Sequence, residues 1–145
     1  MGTDPFDLNR FVTAQQGVYP QALAELKAGR KRTHWIWYIL PQLQALGHSG
    51  MAQLYGITGL EEARAYLVHP VLGPRLRKCC EALLANEGLS AHQILGSPDD
   101  LKLRSCATLF ARVDVPDSVF ERVLDKYYDG EPDPLTVEYL ERRDD

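Results

Sequence analysis

Signals that start and stop helices recur along this chain at short intervals. Gly29 follows an apolar-periodic segment that begins near Tyr19, Pro41 ends another, and Ser49 precedes a third. No stretch alternates apolar and polar residues for long enough to predict a strand. The sequence also has no long linker, no composition break and no repeat. It therefore predicts an all-α fold of roughly eight to nine short helices, in a single domain over residues 1–145.

Capping residues predict where several of the helices begin. The expected starts are Asp4-Pro5 for the first helix, Thr33 for residues 34–40, Thr58 with Glu61 for residues 59–68, Ser90 with Gln93 for one short turn, Ser97-Pro98 for residues 98–113, and Asp133 for a last helix from Pro134.

Composition indicates a soluble protein of ordinary size. Apolar residues make up 45% and charged residues 25% of the 145 residues. The longest apolar run, residues 35–40, is far shorter than the roughly 20 residues of a membrane span. The N-terminus has no features of a secretion signal, and three cysteines with two adjacent make a poor disulfide framework. We expect buried free thiols, no membrane contact and a cytoplasmic location.

The formal net charge of −4 is unevenly distributed. Residues 1–50 carry five basic and three acidic groups, which gives +2, whereas residues 114–145 carry four basic and eleven acidic groups, which gives −7. Cations cluster only at residues 30–32 and 75–78. Proteins that grip a nucleic-acid backbone show a broader basic face, so we expect no nucleic-acid partner.

Several familiar site chemistries have no signature in this sequence. A phosphate-binding loop and a dinucleotide-binding glycine motif are both missing. The four histidines are dispersed and the cysteines are wrongly spaced for zinc. We expect neither a metal nor a cofactor.

Five segments together resemble a known family. They are "DPFDLNRFVTAQ" at 4–15, "GRKRTHWIWYILPQL" at 29–43, "YGI" at 55–57, "EARAYLVHPVLGPRL" at 62–76 and "DDLKLRSCATLF" at 99–110. These segments are similar to the domain-of-unknown-function 1810 family, and the match covers nearly the whole chain. The resemblance implies a small, all-helical, single-domain bacterial protein, and it implies no particular activity.

Two charged residues fall on the apolar stripe of the helix expected over residues 98–113. Asp99 and Lys102 share that stripe with Leu103, and a buried charge is costly unless it is paired. One interpretation is an ion pair at the start of the helix, with Lys102 reaching outward. The other is a pocket in which Lys102 binds an anion, Asp99 positions it, and Ser105 lies at the rim.

The segment at 30–43 combines three cations with both tryptophans of the chain. Both rings can be core residues with hydrogen-bonded indoles, or one ring can stack on a planar ligand whose charge is met by the preceding residues. Gln42 could then contact a polar edge of that ligand. The candidate ligand-binding residues are Arg30, Lys31, His34, Trp35, Gln42, Asp99, Lys102 and Ser105.

The main hypothesis is a polar pocket for a small anionic ligand, of nucleotide or phosphorylated-metabolite type. Its walls would be the start of the helix over 34–40 and the N-terminal half of the helix over 98–113. Two alternatives remain at this point. One is a protein-interaction module that uses the acidic C-terminal third, with an unknown partner. The other is an enzyme with Asp99 or His34 as general base.

Overall fold

The structure, a computed structural model, describes residues 3–143, with side chains described for residues 3–142. Within that range it contains ten α-helices, one short 3-10 helix over Gln44–Leu46 and one isolated parallel bridge between Leu43 and Ile57. None of these helices is long and apolar enough to cross a bilayer. The all-α prediction is confirmed, with ten helices where eight to nine were expected. The helices are α1 (Asn9–Gln15), α2 (Tyr19–Ala28), α3 (Ile36–Ile39), α4 (Gly50–Tyr55), α5 (Leu60–Val68), α6 (Leu72–Ala85), α7 (Ala91–Leu95), α8 (Asp99–Ala111), α9 (Val119–Tyr128) and α10 (Pro134–Arg143).

Local capping chemistry explains many of the helix boundaries. Gly29 ends α2 in the left-handed conformation, with φ of 77°. The hydroxyls of Ser49 and Ser90 each accept a hydrogen bond from a backbone N–H three residues later. Gln93 completes the capping box at α7, because its side chain accepts from the Ser90 backbone N–H. These expected caps are confirmed.

The first helix begins later than predicted. Pro5 was expected at its first position, but α1 begins at Asn9. The carboxylate of Asp4 accepts hydrogen bonds from the backbone N–H groups of Leu8 and Asn9, at 2.7 and 2.9 Å. Asp4 therefore does supply acceptors for this helix, although across a turn that the local pattern did not indicate.

Two of the expected caps are wrong, because the threonine hydroxyls donate hydrogen bonds to buried glutamates instead of capping their helices. The hydroxyl of Thr33 donates to Glu25 at 2.7 Å, and α3 starts without a side-chain cap. The backbone N–H and hydroxyl of Thr58 both donate to Glu62, each at 2.9 Å. Glu61, the residue predicted to complete that cap, is exposed.

Helix α8 is the central helix of the core. It packs against α5, α7, α9 and α10, and its residues 105–110 are all buried. Thr108, in the middle of this stretch, is 2% exposed. Helix α8 ends at Ala111, two residues before the end of the helix predicted over residues 98–113.

The three cysteines are buried free thiols, as predicted. Burial raises the pKa of the Cys79 thiol to about 12, and it also raises the pKa values of Cys80 and Cys106 well above the ordinary value. Thiols of this kind stay protonated at neutral pH and do not act as nucleophiles.

Candidate functional site

A cleft of about 400 Å³ opens beside the N-terminal half of α8. We call it the α8 cleft. Its walls come from three parts of the chain, which are the first two turns of α8, the segment between α3 and α4, and the start of α10. Among the residues predicted from the sequence, Gln42, Lys102 and Ser105 line it.

Beside the α8 cleft, one carboxylate is shared by two lysines. Asp99 Oδ2 lies 2.9 Å from the Nζ atom of Lys31, and Asp99 Oδ1 lies 3.5 Å from the Nζ atom of Lys102. The side chains of Lys31, Asp99 and Lys102 are 7%, 17% and 25% exposed. The two segments singled out in the sequence therefore meet, as the pocket hypothesis required. The cluster carries one more positive charge than negative charges.

Each lysine of this cluster also lies over a tryptophan ring. Lys31 Nζ is 5.0 Å from the ring centroid of Trp35, and Lys102 Nζ is 5.4 Å from that of Trp37. Trp35 is 1% exposed, and its indole N–H donates to Glu25 at 3.0 Å. Trp37 is 8% exposed and lines the α8 cleft. The two rings therefore differ in what they can contact, and only Trp37 faces the cleft.

Gln42 presents a side-chain amide that the protein leaves free. The residue is 6% exposed, and its amide makes no hydrogen bond to any described residue. No fully enclosed side-chain polar atom of residues 3–142 lacks a partner, so the amide of Gln42 must reach open space. The α8 cleft is that space. The backbone around Gln42 is held by Ile57, whose N–H donates to the Gln42 carbonyl at 2.9 Å.

Ser105 lies one helical turn after Lys102 on the same wall. Its hydroxyl donates to the Leu101 carbonyl at 3.3 Å, and the residue is 7% exposed. Because its proton is used within the helix, the hydroxyl oxygen offers the cleft an acceptor.

Asp133, the residue before α10, also lines the α8 cleft. Its Oδ2 atom accepts from the backbone N–H and the hydroxyl of Thr136, at 3.0 and 2.6 Å, which confirms it as the cap of α10. Its own N–H donates to Thr108 at 2.8 Å, and Arg104 donates to the nearby Glu131 carbonyl at 3.0 Å. Sequence reasoning found Asp133 as a cap but missed that it lines the cleft.

Glu25 organises the junction that leads to the tryptophans. Its carboxylate accepts hydrogen bonds from the backbone N–H groups of Arg32 and Thr33, and also from Gln21 and Trp35. Burial raises the pKa of Glu25, but the bonds from Arg32, Gln21 and Thr33 outweigh burial and hold it well below 4.5. Sequence reasoning missed this residue, although a glutamate next to the inward-facing Ala22 and Leu26 was an available signal.

The remaining predicted residues lie away from the cleft lining. Arg30 and His34 are exposed, whereas Lys31, Trp35 and Asp99 are packed behind Lys102. Within residues 3–142, no three His, Cys, Asp or Glu side chains are placed to hold one metal ion.

A slightly larger cleft, of about 450 Å³, lies between α8, α9 and α10. It contains none of the residues predicted from the sequence. Two of its polar side chains are already used within the protein, since Thr108 accepts from the Asp133 N–H and Glu121 accepts from the Asp117 N–H. The α8 cleft is the better candidate site, because it contains Lys102, which belongs to a cluster with an excess positive charge, and Gln42, whose amide makes no hydrogen bond to a described residue.

The described part of the chain is an all-helical protein in which Lys102 lines the α8 cleft. The family model described as "Protein of unknown function (DUF1810)" matches residues 5–140, and the chain belongs to this family. The crystal structure of the conserved hypothetical protein Rv1873 from Mycobacterium tuberculosis is similar, at 52% sequence identity and a TM-score of 0.93. The match covers 95% of this chain and 99% of the mycobacterial chain. No curated protein matches the sequence.

Proposed function

We propose that this protein binds a small anionic ligand in the α8 cleft. The observation that supports it most is the cluster of Lys31, Asp99 and Lys102, in which two ammonium groups share one carboxylate. One positive charge is left beside the cleft in a largely buried place, where solvent compensates it poorly. An anion next to Lys102 would balance that charge.

The other groups of the cleft suit the same ligand. The free amide of Gln42 and the indole N–H of Trp37 are donors without partners among the described residues. The Lys102 ammonium adds a third donor among the residues that line the cleft. Phosphate esters accept several hydrogen bonds at once, so a phosphorylated or nucleotide-like metabolite is the class we propose. The three buried free cysteines support a reducing compartment, and we propose a cytoplasmic location.

The geometry favours binding over the two alternatives. Asp99 is engaged by two ammonium groups, and His34 is exposed outside the cleft, so neither is placed as a general base for a ligand in it. Part of the charge of the acidic C-terminal third is paired within the chain, as Asp114 is with Arg77 at 2.6 Å. We therefore assign no reaction and no protein partner.

Ligand-dependent thermal stabilisation tests the proposal. Phosphorylated metabolites and nucleotides are screened against the unsubstituted chain, Lys102→Met and the control Lys78→Met, which removes an exposed lysine on α6. Loss of one charge-assisted contact predicts an affinity about tenfold or more weaker for Lys102→Met only.

Circular dichroism of each variant confirms that the helices are intact before affinities are compared. Equal affinities of Lys102→Met and the unsubstituted chain for every stabilising compound would contradict the proposal. A screen in which no anionic compound stabilises the unsubstituted chain would contradict it as well.

A further inference from the structure

Two exposed leucines lie at the mouth of the α8 cleft. Leu101, in the first turn of α8, is 59% exposed, and Leu135, in the first turn of α10, is 62% exposed. Both line the cleft. Single exposed leucines are common on protein surfaces, but these two lie at one cleft and together offer it apolar area.

The residues that line this cleft differ in how deeply they are buried. Gln42, Ser105 and Trp37 are each less than 10% exposed and form its inner part, and Lys102 at 25% lies next to them. The two leucines, at about 60%, form its outer part together with the exposed residues His48 and Ser49. A ligand that satisfies both parts has a polar head at the inner end and an apolar body towards the mouth.

The charges of the walls limit how many anionic groups such a head can carry. Lys102 and Asp133 line the cleft, and Lys31 and Asp99 lie behind Lys102, so these four groups carry two positive and two negative charges. The positive excess of the Lys31, Asp99 and Lys102 cluster is therefore local to Lys102, and the Asp133 carboxylate, which also lines the cleft, repels a second anionic group. This arrangement suits one oxyanion group and disfavours a polyphosphate.

We propose that the ligand of the α8 cleft is an amphipathic anion. A single oxyanion group faces Lys102 and Gln42, and an apolar, preferably aromatic, body lies between Leu101 and Leu135. This inference rests on the proposed function, and it narrows the ligand class from nucleotides in general to compounds with one anionic group on an apolar body.

Calorimetric titration of the intact chain with three probes tests the inference. The probes are inorganic phosphate, phenyl phosphate and pyrophosphate. Covering the two leucines with a ring predicts that phenyl phosphate binds about tenfold more tightly than inorganic phosphate. We expect pyrophosphate to bind no more tightly than inorganic phosphate, despite its greater charge.

Substitutions at the mouth separate the head from the body. In the double variant Leu101→Ser and Leu135→Ser, phenyl phosphate loses its advantage while inorganic phosphate binds unchanged. The control Leu54→Ser removes a leucine that is 54% exposed on α4, outside the cleft, and changes neither affinity. All three leucines are mostly exposed, so the core packing is preserved. Lys102→Met weakens the binding of both phenyl phosphate and inorganic phosphate.

The outcomes distinguish the inference from the proposed function. If inorganic phosphate and phenyl phosphate bind with equal affinity, and Lys102→Met weakens the binding of both, the proposed function stands and the inference of an amphipathic ligand is wrong. Tighter binding of pyrophosphate than of phenyl phosphate also overturns the inference. If neither inorganic phosphate nor phenyl phosphate binds, the proposed function and the further inference both fail for phosphate ligands. A change of sedimentation coefficient in the leucine double variant, without a change in phenyl phosphate affinity, assigns the leucines to contacts between copies and overturns the inference.

Discussion

Among single residues, Glu25 shows how a buried charge can be held without a countercharge. The residue is 4% exposed, and within residues 3–142 no cation pairs with its carboxylate. Its stabilisation comes from hydrogen bonds to Gln21, Thr33, Trp35 and the Arg32 backbone. Thr33 donates through both its backbone N–H and its hydroxyl, so the carboxylate has five donor groups. Because four of the five belong to residues 32–35, Glu25 fixes the segment that carries Trp35 towards the cluster beside the α8 cleft.

Glu25→Gln is expected to destabilise the fold by about 3 kcal/mol. An amide has one acceptor oxygen instead of two, so its NH2 group would face either the N–H groups of Arg32, Thr33 and Trp35 or the side-chain amide of Gln21. Urea unfolding at neutral pH, followed by tryptophan fluorescence, measures this loss. The control Glu87→Gln changes an exposed glutamate in a loop and should leave the free energy of unfolding unchanged within about 0.5 kcal/mol. Similar losses in the two variants would show that Glu25 has no special role.

The same residue makes stability depend on acidity. The pKa of Glu25 is lowered in the folded chain, so its stabilisation is fully present above the ordinary value of 4.5 and is lost as the pH falls below it. The free energy of unfolding of the unsubstituted chain should therefore fall more steeply below pH 4.5 than that of Glu25→Gln. Parallel curves for the two chains would contradict this assignment.

At the level of helices, the end of α2 fits closely against the end of α6. Asn86 donates to the Leu26 carbonyl at 2.8 Å, and so joins the last turns of the two helices. Gly29 lies at this contact with φ of 77°. A Cβ atom on Gly29 would lie 2.7 Å from Leu89 Cδ1 and 2.8 Å from Asn86 Oδ1. The position therefore needs glycine for its conformation and also for its lack of a side chain.

Gly29→Ala is expected to lower the free energy of unfolding by about 2 kcal/mol, from left-handed strain of about 1 kcal/mol and the remainder from displacement of Leu89 and Asn86. Gly88→Ala is the matched control, because Gly88 has φ of 74° but no atom within 4 Å of an added Cβ. Chemical denaturation should give about half the loss at Gly88. If the two alanine variants lose the same free energy, the close fit contributes nothing.

Helix boundaries could be predicted from sequence wherever a local contact determines them. Ser49, Ser90 and Asp133 cap their helices through N–H groups three residues away, so the pattern within a few residues was sufficient. Thr33 and Thr58 also carry a hydroxyl shortly before a helix. Each nevertheless donates it to a buried glutamate, Thr33 to Glu25 and Thr58 to Glu62. Local patterns do not show which buried acceptor is near, and there the prediction was wrong.

The candidate site could be predicted only where a residue conflicted with its surroundings. Asp99 and Lys102 stood out because charges on an apolar stripe require a partner. The second cation that pairs with Asp99 is Lys31, which is distant in the sequence. The backbone N–H of Lys31 donates to the Ile94 carbonyl of α7 at 2.7 Å. Gln42 and Asp133 line the cleft because Ile57 and Thr108 hold their backbones, and no sequence pattern carries that information.

For the whole molecule, the ion pair of Lys31 and Asp99 connects the N-terminal third of the chain to the central helix. The complete chain has a formal net charge of −4, so the positive excess beside the α8 cleft exists against an acidic background. Stability and anion binding then depend on the same carboxylate with opposite signs. Asp99 stabilises the fold by compensating Lys31, and it weakens anion binding by occupying Lys102.

Asp99→Asn should therefore destabilise the unliganded chain and strengthen its binding of inorganic phosphate. We expect a loss of about 3 kcal/mol in urea unfolding, because Lys31 remains largely buried without a countercharge. We also expect phosphate affinity to rise severalfold, because no carboxylate competes for Lys102. Phosphate should then raise the melting temperature of this variant more than that of the unsubstituted chain.

Asp100→Asn is the matched control for this coupling. Asp100 lies in the same first turn of α8, so its substitution removes the same charge from the helix N-terminus. Its carboxylate lies 3.5 Å from Nδ1 of the exposed His92 and contacts neither lysine. We expect a loss below about 1 kcal/mol and an unchanged phosphate affinity. Opposite shifts of stability and affinity in Asp99→Asn, and in that variant alone, are the result that requires the shared carboxylate. Equal behaviour of the two variants would reduce the effect to the charge at the start of α8.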